Sequence, residues 1–165
     1  MSTASPPLND TPWEYYDKQS LHPILRRRKL IGRVRVTEAE WPTVVSTRLK
    51  TSNQEFVGRI ATAFEWLTGS NLTPPAAWEA WRTQNSCIYM TPLGQQPWRF
   101  RRSDRYFDEV LSADAAGLCA TELALNWSLA GSPVFSRPEA VRFARRLADF
   151  RHMHPEGARV SSVLD

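Results

Sequence analysis

Arg26, Arg27, Arg28 and Lys29 lead without a break into a segment carrying Arg33 and Arg35, and a second basic group, Arg142, Arg145 and Arg146, lies far along the chain. A planar guanidinium donates bidentately to phosphates and carboxylates, so clustered arginines are a sequence sign of an anionic partner. Residues 26–59 hold nine basic residues against three acidic ones, and residues 137–151 hold five against two. The net charge of +4 is therefore concentrated, not spread. Arg99 and Arg101 complete the set, since a strand would project them away from Trp98 and Phe100. If the strands are neighbours, Arg33, Arg35, Arg99 and Arg101 form a stripe that would bind a phosphate backbone by counterion release. Composition offers a second explanation. Of the 21 basic residues only Lys18, Lys29 and Lys50 are lysines, a bias that a GC-rich genome also produces. No zinc-finger spacing, aromatic RNA-binding signature or clear helix-turn-helix frames the arginines.

Other chemistry is thinner. His152 and His154 alternate at a predicted helix end and, with Glu156 or His22, could ligate a divalent ion. A cationic histidine there also complements the helix dipole with no metal at all. Glu122 begins an apolar stretch and is the acid whose burial would matter most. No serine sits in a GxSxG setting, and none of the seven glycines forms a phosphate-cradling loop. Cys87 and Cys119, in CIYM and GLCATEL, read as small buried hydrophobes. No cofactor is expected.

Seven tryptophans and seven phenylalanines are many for 165 residues. Core packing accounts for most of them, but Trp with Arg also dominates interface hot spots. Trp13, Tyr15 and Tyr16, close to a Ser/Thr/Pro-rich start, and Trp78 with Trp81 are the candidates for partner contact.

These residues must be positioned by local elements. Val34 and Val36 alternate with Arg33 and Arg35, which predicts a half-buried strand. Thr37 and Glu40 have capping-box spacing, while Pro42 favours a helix that begins near Trp41. Phe56, Ile60, Phe64 and Leu67 predict a helix over 53–68, opened by Ser52 and Glu55 and ended by Gly69. Trp78 and Trp81 share a face if 74–83 is helical. Residues 86–91 and 97–102 read as a hairpin across Pro92 and Gly94. A helix is expected over 104–115, a strand over 120–129 from its Leu/Trp alternation, and a last helix over 137–152 opened by Ser136 and Glu139.

The sum is an α+β single domain, a small, mostly antiparallel sheet packed by four to five helices. Residues 1–12 read as a flexible arm, 13–152 as the domain and 153–165 as a tail. No signal peptide or long apolar run is present, which points to the cytoplasm. The function expected is non-enzymatic binding by a small accessory protein of bacterial or mobile-element origin: an inhibitor, adaptor or assembly factor with a protein partner. DNA or RNA binding through the arginines is the alternative, and an enzyme with an unrecognised site the second alternative. The sequence leaves oligomeric state open.

Overall fold

The computed structural model describes residues 33–37, 39–49, 53–70, 72, 78–83, 85–94, 96–102, 104, 107–131 and 137–165. Trp13, Tyr15, Tyr16, His22, Arg26, Arg27, Arg28, Lys29, Ser52 and Ser136 lie outside them. Ten elements follow in order: β1 (Arg33–Val36), α1 (Trp41–Leu49), α2 (Asn53–Thr68), β2 (Trp78–Thr83), β3 (Ile88–Pro92), β4 (Trp98–Arg102), β5 (Phe107–Leu111), α3 (Ala113–Gly131), α4 (Arg137–Met153) and α5 (Gly157–Leu164). The fold is α+β, with five helices and two small antiparallel sheets among these residues, ordered β1-β2-β3 and β4-β5.

The start of α1 reconciles two sequence signals that looked opposed. Glu40 N–H donates to Thr37 Oγ1 at 3.3 Å and Thr37 N–H donates to Glu40 Oε2 at 3.2 Å, a closed capping box. Pro42 then occupies the second helical residue, where a missing N–H is harmless. Backbone and hydroxyl donors from Thr37 hold the Glu40 carboxyl below its ordinary value. Helix α2 spans the predicted residues, buries Phe56, Ile60, Phe64 and Leu67, and ends at Gly69 with φ of +74°. Phe64 then joins three elements. Its ring meets Trp78 at 5.3 Å, Trp98 at 4.8 Å and Phe100 at 6.2 Å, all edge to face.

Helix α3 is the axis of the molecule. Ala113 to Leu125 is buried at every position, so no polar stripe marks the helix in the sequence. It lies on β3 closely enough that a Cβ on Gly117 would meet Met90 O at 2.1 Å. One turn on, Thr121 Oγ1 accepts the Met90 N–H at 3.1 Å, so the helix itself satisfies a donor of the strand.

Several expectations are corrected here. Residues 78–83 are a strand, not the end of a helix over 74–83; Trp and Thr suit a pleated surface, and both Trp78 and Trp81 are buried. β3 pairs with β2 and β4 with β5, so the hairpin drawn between 86–91 and 97–102 does not form. The 104–115 helix is instead strand β5 followed by the start of α3. The Leu/Trp alternation over 120–129 belongs to α3: the intervening Ala120 and Ala124 are buried too, which a half-buried strand would not require. Residues 157–164, read as tail, form α5 and bury Val160 and Val163. Helix α4 stands where it was expected, with Phe143 and Leu147 inside.

Candidate functional site

Arg33 was expected to face outward from β1. It is instead 3% exposed. Its guanidinium lies 3.6 Å over the Trp81 ring and hydrogen-bonds both the Tyr89 hydroxyl and the Asp114 carboxylate. Tyr89 Oη also donates to Asp114 Oδ1 at 3.0 Å, and His154 Nε2 lies 2.6 Å from Asp114 Oδ2. Four segments therefore meet on one carboxylate. The His154 tautomer follows from its other nitrogen, because Nδ1 accepts the Glu156 N–H at 3.0 Å and so carries no proton. Nε2 is then the donor to Asp114 Oδ2. Burial pushes the Asp114 carboxyl upward, but Arg33, His154 and Tyr89 together outweigh it and hold the group below its usual range. Burial drives the Tyr89 hydroxyl well upward. Both oxygens of the Asp114 carboxylate thus have donors, from β1, β3 and the turn after α4.

The histidine-metal reading dissolves by the same geometry. His152 is exposed while His154 is buried on Asp114. Glu156 accepts from the Ser112 N–H at 3.1 Å and from its hydroxyl, which anchors α5 to the N-terminus of α3. No group of three His, Cys, Asp or Glu among the described residues is placed to hold a metal. Glu122 is buried, as its apolar neighbours suggested, but on a helix rather than a strand. Arg151 Nε stands 3.3 Å from Glu122 Oε2 without a formed hydrogen bond. Burial outweighs that attraction and lifts the carboxyl to about 7. Cys87 and Cys119 are buried free thiols, both pushed upward by burial.

The outer arginines do not make one stripe. Arg35 pairs with Glu79 at 3.1 Å, and Arg99 is bidentate to Asp108 at 2.8 and 2.7 Å on the other sheet. Arg99 and Arg101 do point away from Phe100, into solvent, as alternation requires. Arg142, Arg145 and Arg146 are exposed on α4.

One surface feature lies outside the sequence expectations. Trp66 on α2 and Trp127 on α3 meet edge to face, with centroids 5.7 Å apart and planes at 84°. Trp127 is 37% exposed and Trp66 half-buried. Next to them Arg59 spans from Glu55 at 3.4 Å to Ser128 Oγ at 3.2 Å. The signal was present: Glu55, Arg59, Thr62 and Trp66 fall on one helical row, opposite Phe56, Ile60 and Phe64. Trp66 packs partly against the core, while Trp127 beside it keeps an exposed edge. Trp78 and Trp81, the tryptophans that were favoured for partner contact, are core residues.

The family model for "Antirestriction protein" matches residues 75–165, more than half of the chain. This chain belongs to the antirestriction protein family. The matched region holds β2 through α5, and so Tyr89, Asp114, Trp127 and His154, but neither Arg33 nor Trp66. Likeness to a solved structure extends further. A solved structure, from work on the KlcA and ArdB proteins that describes a novel fold and antirestriction activity against Type I DNA restriction systems in vivo but not in vitro, is similar over 84% of this chain and 98% of that chain. Its TM-score is 0.68 and its identity to this antirestriction chain 23%, a likeness of fold. No curated protein sequence matches this chain. No helix among the described residues is long and apolar enough to cross a membrane.

Proposed function

We propose that this chain relieves Type I DNA restriction as a non-enzymatic inhibitor, by binding a protein of the restriction pathway through the Trp66–Trp127 face. The observation that carries the reading is the exposed Trp127, held rigid against Trp66 at the junction of α2 and α3. Rigid aromatics flanked by a polar rim are the residues that concentrate binding energy, with about 2 kcal/mol or more each at a hot spot. Arg59, Glu55 and exposed Asn126 supply such a rim.

The test is the plating efficiency of unmodified phage on cells carrying a Type I system and expressing this chain. Trp127→Ala takes away the exposed aromatic edge, and in cells grown well below the variant's thermal midpoint restriction should return toward the level of cells lacking the protein. Undiminished relief of restriction by Trp127→Ala at equal abundance would place the working surface elsewhere.

A further inference from the structure

Intramolecular pairing sorts the described arginines. Arg33, Arg35, Arg59, Arg99, Arg151 and Arg159 each have a carboxylate within 4.0 Å. Arg82 and Arg101 lie on different sheets and feel Glu40 and Asp108 at longer range. Arg145 and Arg146 differ from all of these. They are adjacent, exposed, and have no carboxylate at salt-bridge distance among the described residues. Arg142, one turn earlier, adds a third exposed guanidinium to the same side of α4. The helix beneath is well anchored. Phe143, Leu147 and Phe150 are buried, and the Asn85 amide donates to the Arg146 carbonyl at 2.9 Å from the β2–β3 turn.

We propose that Arg145 and Arg146, flanked by Arg142, form a docking site for an acidic, carboxylate-rich segment of a protein partner. Charge complementarity selects the sign of the partner, and the size of the cluster selects its class. Residues 142–146 span about 6 Å of helix axis at 1.5 Å per residue. A duplex-binding surface engages roughly 6–10 phosphates, and these three arginines cannot supply that many contacts. A few carboxylates on one short segment match the forked donors of Arg145 and Arg146. The site stands independently of the restriction reading and of the Trp66–Trp127 face.

The test is fluorescence anisotropy with a fluorescein-labelled oligoglutamate peptide and, separately, a labelled DNA duplex, each at low and high salt. The purified chain should bind the peptide at low salt, and Arg145→Glu with Arg146→Glu should weaken that binding by about tenfold or more. Duplex affinity should be the same for both proteins. The milder pair R145A and R146A, with an unchanged thermal midpoint, separates charge loss from misfolding and should also weaken the peptide. Equal peptide affinity in parent and variants, or no peptide binding by the parent, overturns the proposal. So does a duplex that binds the parent and is lost from the variants, which would make the cluster a phosphate site.

Discussion

Glu122 shows how burial and pairing compete at a single side chain. Its carboxyl is lifted to about 7 from an ordinary 4.5, mainly by burial, although Arg151 is close by. The folded state thus holds the proton more tightly than the unfolded chain does. That stabilisation is complete below pH 4.5 and is lost as pH climbs to about 7. Glu122→Gln keeps the shape and removes the charge. It should raise the thermal midpoint at pH 8 by about 3–6 °C, with the gain fading toward pH 5. Scanning calorimetry at the two pH values reads the difference, and a gain independent of pH would show that charge is not the cause. Asp114 has the opposite sign, since its carboxyl is held below the usual range. Its contribution is present above pH 4 and disappears only in stronger acid.

Helix α3 carries the clearest prediction among the elements. Gly to Ala inside a helix ordinarily stabilises it, by about 1 kcal/mol. At Gly117 a Cβ would meet Met90 O at 2.1 Å and Thr91 Cα at 2.5 Å, both backbone atoms that cannot swing away. Gly117→Ala should therefore destabilise, by about 1–3 kcal/mol or more in urea unfolding, because the helix must lift from β3. The same closeness explains what the sequence showed and what it hid. Helix α2 was readable because one face is apolar and the other polar, and α4 for the same reason. Helix α3 was not, since burial on every side from Ala113 to Leu125 erases the period, and a Leu at alternate positions then mimics a strand. β2 failed in the converse way: tryptophans three apart suggest a helical face, whereas both sides of this strand are covered. The ion network was hidden for a different reason. Nothing local links Arg33, Tyr89, Asp114 and His154, and an arginine in an alternating strand gives no hint that a carboxylate 81 residues away turns it inward. Of the candidate surface, α4's arginines were legible from the outset, while Trp127 was mistaken for an inward-facing strand residue.

At the scale of the whole molecule, that network ties β1 and the residue following α4 to the first turn of α3. Removing Arg33 leaves the Asp114 carboxylate buried without its guanidinium, though Tyr89 and His154 still reach it. Arg33→Met should cost about 3–5 kcal/mol in denaturant unfolding, whereas adding Asp114→Asn to it should return a large part of the loss. A double variant no better than the single would mean that Arg33 acts by covering Trp81, not by charge. The span of the tie also sets an order on folding. Asp114 can meet Arg33 once 81 further residues exist, but its second oxygen waits for His154, another 40 along. At about 5–20 residues per second a ribosome needs seconds to cover that last interval. During those seconds the Asp114 carboxylate has its Arg33 and Tyr89 donors on one oxygen while the other oxygen waits for His154.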